Sequence, residues 1–260
     1  MTDKRKEREQ KVRLYRMCLI CAALVVVLVI VAFVACGKKD DTSKDSAKAT
    51  KTVATTAKET IKPKPKNPRT VIVGECYVED FEKYCKQYLP KHTLFIHKIG
   101  ILTGALAEEP FVEYEGNSIT AMERAAIYKP DRVFFLCGMN ETENDTPQIT
   151  VKHFDTMKKQ LQSVNKNVEV VICSLPPVAR DGLDGYGTNA QIRNYNKALK
   201  KYADKTKNVY YYDIRYLLED ENGKLKKEAD PGDGAHWQIS ATKEVAKAIK
   251  KYSDELDAKQ

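Results

Sequence analysis

Glycine and proline are scarce, 12 and 10 in 260 residues, far too few for a collagen-like or low-complexity chain. Histidine is rarer still at 4, and of the 7 cysteines the four after Arg69, Cys76, Cys85, Cys137 and Cys173, match no zinc-ligand spacing, so a metal framework is not expected. The sequence also lacks a dinucleotide fingerprint and a phosphate-binding loop, and no cofactor is expected. A basic folded domain is missing as well. Of the formal net charge of +8, residues 1–69 hold 17 Lys/Arg against 7 Asp/Glu, so residues 70–260 are left at −2. Nucleic-acid binding, which wants cations clustered on the folded part, is therefore not expected.

What is present begins with a leader. Residues 1–16 carry Lys4, Arg5, Lys6, Arg8, Lys11, Arg13 and Arg16, and an uncharged apolar run follows from Met17 to Ala35. As a helix, that run would be about 28 Å long, near the thickness of a bilayer core. The flanking charge predicts a cytoplasmic N-terminus and an exported remainder. Residues 17–36 thus read as a signal anchor or, because Phe33-Val34-Ala35-Cys36-Gly37 is similar to a bacterial lipobox, as a lipoprotein signal with Cys36 lipidated. Either outcome places the protein at the cell membrane with its domain extracytoplasmic. Cys18 and Cys21 lie inside the apolar run, where a redox role is not expected. Residues 37–69 are rich in Lys, Thr and Pro, nearly free of large apolar side chains, and read as a disordered linker.

From Thr70 the pattern changes to short β-branched or aromatic runs separated by amphipathic stretches, so residues 70–260 read as one α/β domain with a parallel sheet. Candidate strands are Thr70–Val73, Thr93–Ile99, Arg132–Leu136, Glu169–Cys173 and Val209–Asp213. Val151, Phe154, Met157, Leu161 and Val164 recur at helical spacing, Thr188 with Gln191 forms a capping-box signature, and Ser240 is a candidate N-cap for the last helix. Ligands of such a fold sit beyond the carboxyl ends of the strands.

Three segments lie at those ends: Gly74-Glu75-Cys76-Tyr77, Cys137-Gly138-Met139-Asn140-Glu141 and Asp233-Gly234-Ala235-His236-Trp237. Of the four histidines, only His236 has a carboxylate three residues before it; bonding of its Nδ1 to Asp233 would leave Nε2 as a general base. A thiol at a helix start with an imidazole in reach is expected to have a lowered pKa. In order and in placement the three segments resemble the GDSL/SGNH hydrolase family. That resemblance implies a flavodoxin-like three-layer α/β/α fold with a five-stranded parallel sheet, and a Cys76-His236-Asp233 triad in which Cys76 stands where the family has Ser and Glu75 where it has Asp. It further implies an oxyanion hole from the Cys76 N–H, the Gly100 N–H and the Asn140 amide, with Gly104 an alternative to Gly100. Tyr186 and Trp237 are candidate sugar-stacking platforms. The expected function is a membrane-anchored esterase or O-acyltransferase acting, as a monomer, on O-acyl groups, foremost O-acetyl, of a cell-surface glycan or an acylated small molecule. The competing readings are a degenerate glycan-binding scaffold, favoured by Glu75-Cys76, and a thiol redox protein, for which Cys85 is a poorly placed resolving thiol.

Overall fold

The computed structural model describes residues 68–259. The leader, Cys36 and nearly all of the linker lie outside the described residues. Among the described residues no helix is long and apolar enough to cross a membrane.

Strand β1 (Thr70–Gly74) is buried along its whole length and pairs in parallel with β2 (Thr93–His97) on one side and β5 (Arg132–Leu136) on the other. β6 (Glu169–Cys173) and β7 (Val209–Tyr212) extend the sheet to the order β2-β1-β5-β6-β7. The three central strands read as unbroken apolar runs because helices cover both of their faces. The expected α/β/α layering and five-stranded parallel sheet are present. Since the chain runs outward from β1 to β2 and then returns to β5, the crevice where connections diverge opens between the carboxyl ends of β1 and β5.

The helices are α1 (Cys76–Asp80), α2 (Ala105–Glu108), α3 (Ala121–Tyr128), α4 (Pro147–Val164), α5 (Asn189–Asp204) and α6 (Ile239–Ala258). α1 continues through a wider π turn, Phe81–Cys85. Phe154, Met157 and Leu161 bury the stripe of α4, and Thr188 and Gln191 form the reciprocal capping box of α5. Three expectations need correction. The second strand stops at His97, not Ile99, because Gly100 turns the chain at φ 70° and Ile99 faces solvent. The last helix is entered two residues earlier than the Ser240 cap predicts, with Gln238 as N-cap. A small antiparallel hairpin, β3 (Val112–Tyr114) with β4 (Asn117–Ile119), went unread because three-residue strands carry too little alternation to register.

At the opposite end of the sheet from the crevice, Arg132 is fully buried. Its Nε and Nη2 donate to Glu169 Oε2 at 2.9 and 2.6 Å, Nη1 donates to the Ser253 carbonyl at 2.8 Å, and Nη2 also reaches Asp257 at 2.7 Å. This cation joins β5, β6 and α6. Arg132→Met leaves the Glu169 carboxylate buried without its cation and is expected to lower the unfolding free energy by about 3–5 kcal/mol, read as a shift in the urea midpoint.

Candidate active site

The crevice is built from β1 outward. Gly74 ends the strand so close to β5 that a Cβ there would lie 2.1 Å from the Leu136 carbonyl oxygen, which excludes every other residue. Glu75 follows in extended backbone and turns its side chain inward, 1% exposed. Its carboxylate accepts the Met139 N–H at 3.2 Å and an N–H of the Asn140 amide. Burial pushes the Glu75 carboxyl up to about 8; the Glu141 charge adds to this, while the bonds from Met139 and Asn140 oppose it. The second Asn140 N–H donates to the Ile101 carbonyl at 3.0 Å. Both donors of the amide expected to serve the oxyanion hole are therefore engaged within the protein.

Cys76 opens α1 with a half-buried side chain, and no other side chain hydrogen-bonds its thiol. The expected fall in thiol pKa is reversed: burial first, then the Glu75 and Asp80 charges, push it up to about 12 against the pull of the N–H groups at the helix start. α1 is only five residues long and its cap is itself an acid, so the favourable field of the helix end is small and opposed.

Asp233 and His236 meet as expected, Nδ1 to Oδ2 at 2.7 Å, and the other carboxylate oxygen accepts the Ala235 and His236 N–H groups at 2.9 Å each. Partial burial would raise the Asp233 pKa, but those two N–H groups and the imidazole outweigh it and hold the carboxyl below its ordinary range. Tyr77, the neighbour of Cys76, ties this loop to α1. Its hydroxyl donates to the Ala235 carbonyl at 3.2 Å, its ring stacks on Trp237 at 4.3 Å, and it lies 5.9 Å from the His236 ring. The thiol and the imidazole thus share one junction without being bonded to each other.

Trp237 is not a sugar platform. It is 4% exposed, stacked on Tyr77 and packed against Phe81, so neither face is open. Gly100 is exposed at a positive-φ turn next to Ile101, whereas Gly104 opens α2 with the His153 ring where its Cβ would be, at 2.9 Å. His97, without a carboxylate near it in sequence, bonds Glu82 at 2.9 Å, a pairing 15 residues apart that local spacing does not reveal. Cys85, Cys137 and Cys173 are free and buried; Cys85 is sealed in the core, which removes it as a resolving partner for Cys76.

The segment leaving β6 has no strand beside it, and two asparagines of α5 take that place. Asn196 bonds both backbone groups of Leu175, and Asn189 both of Val178. The rim loop then runs from Ala179, whose N–H donates to the Gly234 carbonyl at 2.8 Å, to Gly187, whose N–H donates to Thr142 Oγ1 at 2.9 Å. Leu183 and Arg180 lie against Gly234, which has φ 87°, and Tyr186 stands half-buried between the two anchors. Behind the crevice, Glu75, Tyr77, Cys137, Ser174 and Trp237 enclose about 10 Å³, room for one water at most. The larger hollow, about 260 Å³, lies along the β2 edge between Phe95 and Phe111 and is lined by none of the site residues.

The GDSL-like lipase/acylhydrolase family model matches residues 112–239, a span holding Asn140, Asp233 and His236. Residues 112–239 are thus shown as a GDSL-like lipase/acylhydrolase domain. The matched span begins after Glu75 and Cys76, so it does not bear on the nucleophile position. No curated protein matches the chain in sequence. Among solved structures, a candidate platelet activating factor from Streptococcus pneumoniae is 23% identical with a TM-score of 0.58, over 72% of this chain and 84% of that one. A GDSL-like lipase from Bacteroides thetaiotaomicron is 15% identical with a TM-score of 0.58, over 73% and 89%. The C-terminal catalytic domain of peptidoglycan O-acetyltransferase A from Streptococcus pneumoniae, carrying a methylsulfonyl adduct, is 16% identical with a TM-score of 0.50, over 72% and 90%. At these identities the likeness is one of fold.

Two residues went unread in the sequence: Glu75 as a buried acid and Tyr77 as the strut between α1 and the His236 loop. The placement of Glu75 directly after a buried strand was the available signal for the first. The raised Glu75 pKa has a thermodynamic consequence. A carboxyl that titrates at about 8 when folded and at an ordinary 4.5 when unfolded stabilises the fold fully below about pH 4.5 and loses that contribution as pH rises through 8. The unfolding free energy should therefore fall between pH 5 and 8, and Glu75→Gln should flatten that slope in urea titrations at several pH values.

Proposed function

We propose that this domain is an extracytoplasmic acyl-transfer enzyme, an esterase or O-acyltransferase that takes small O-acyl groups, foremost O-acetyl, from or to a cell-surface glycan, and that the N-terminal segment holds it at the membrane. The observation that carries the reading is the Asp233–His236 pair set at the same junction as Cys76, with Nδ1 occupied and Nε2 left for proton transfer. His236 takes the thiol proton and the sulfur attacks the acyl carbon. The C–O bond then breaks, and the leaving oxygen receives its proton from His236, giving a thioester on Cys76. Water or an acceptor hydroxyl completes the cycle with His236 acting as base. The family match supports acyl chemistry, and the shared fold with a peptidoglycan O-acetyltransferase domain supports a wall glycan as acceptor or donor.

The second reading, a degenerate binding pocket, is favoured by one observation, the thiol held up to about 12. Intact mass of the full-length protein after exposure to 4-nitrophenyl acetate separates the two. An acetyl adduct on Cys76, absent in Cys76→Ala and lost or slowed at least 100-fold in His236→Ala, is expected of the enzyme. No adduct, or one indifferent to His236, establishes the binding module. Because the thiol titrates so high, the rate of adduct formation in the wild type should keep climbing with pH through 9, with no plateau.

A further inference from the structure

An acyl-transfer step needs a donor aimed at the oxygen that becomes negative, and the side chain expected to supply it is occupied. Asn140 spends one amide N–H on Glu75 and the other on the Ile101 carbonyl. Freeing it would leave the buried Glu75 carboxylate short of a bond at a position 1% exposed. The Cys76 N–H, at the first position of α1, has no carbonyl partner, and neither has the Gly100 N–H on its exposed turn, but with the amide engaged no side-chain donor is left from the expected set.

A further donor stands on the rim loop, on the outer side of the site from the buried, unpartnered Trp237 Nε1. The rim loop is fastened on one side to Thr142, two residues from Asn140, and on the other to Gly234, beside Asp233 and two residues from His236. Tyr186 lies between these anchors, adjacent to the Gly187 that Thr142 pins, where a Cβ on Gly187 would come within 2.6 Å of the Thr142 carbonyl oxygen. Its ring packs on the core while its hydroxyl bonds nothing, unlike the hydroxyls of Tyr77, Tyr128, Tyr195, Tyr202, Tyr210 and Tyr212, each of which has a partner. The phenol is also in electrostatic reach of Cys76, Glu75 and Asp233, whose charges act on it together.

We propose that the Tyr186 hydroxyl, in place of the Asn140 amide, is the side-chain donor to the oxyanion formed when Cys76 attacks an acyl group. The role follows from the glutamate that this chain carries at position 75: the buried acid captures the amide, and the rim loop supplies the replacement. As the sulfur–carbon bond forms, the carbonyl π pair moves onto oxygen, and that oxygen accepts from Tyr186 O–H and Cys76 N–H. Collapse returns the pair and expels the alkoxide, which His236 protonates. The inference rests on the acyl-transfer reading above.

Tyr186→Phe tests it cleanly, because the hydroxyl has no partner in the fold and its removal disturbs no contact. Acylation of Cys76 in the full-length protein is followed in single turnovers over a range of 4-nitrophenyl acetate concentrations. The expected result is a fall of about 100-fold in the maximal acylation rate with the half-saturating ester concentration within twofold of wild type, the pattern of a donor used in the transition state. An unchanged maximal rate overturns the inference, whether half-saturation is unchanged or raised, because the ring then serves only packing or stacking. A wild-type protein that forms no Cys76 adduct fails the acyl-transfer reading and takes this inference with it. Loss confined to Tyr186→Phe cannot be confused with that outcome.

Discussion

The buried carboxyl of Glu75 is the constraint around which the crevice is organised. It sits where β1 and β5 stop side by side, and a strand end leaves backbone N–H groups with no ladder partner. Glu75 takes the Met139 N–H and the Asn140 amide, so one side chain closes the gap between two strands that the sheet itself no longer joins. Gly74 is the precondition, since only a residue without a side chain lets β1 run so near the Leu136 carbonyl. The same acid adds to the rise that burial imposes on the thiol next to it, and it occupies one N–H of the neighbouring amide. Electrostatics and hydrogen bonding at the site thus follow from one substitution-sized difference, a glutamate directly after the first strand.

The other half of the site is held by aromatic packing. Tyr77 lies between α1 and the loop carrying His236, stacked on a buried Trp237, so the orientation of the imidazole depends on rings that never meet solvent. At the far end of the sheet Arg132 does the equivalent work with charge, drawing β5, β6 and α6 together.

The framework was legible in the sequence for a physical reason. Central strands of a parallel sheet are apolar on both faces and stand out as runs, and α4 and α5 announce themselves by spacing and by the Thr188–Gln191 box. The Asp233–His236 pair was legible because it is local, three residues apart within one turn. Readings failed where the answer depended on partners distant in sequence. The thiol pKa was set by burial and by the Glu75 charge, not by the helix start alone; Trp237 was placed by Tyr77, 160 residues upstream; His97 found Glu82 through the π turn. The Tyr186 hydroxyl is notable only once its neighbours are seen to leave it free.

The half-burial of Cys76 bears on the fate of the proposed thioester. Under the proposed reading an acyl group would be carried on a half-buried sulfur at the start of α1. In that reading water and an acceptor hydroxyl compete for the acyl group, and the competition is decided by how long an acceptor remains against the rim formed by residues 180–186. Whether such a protein strips acyl groups or moves them is in that case a matter of acceptor residence, and the crowding of glycan chains at a surface would tilt the balance that the isolated domain leaves to water.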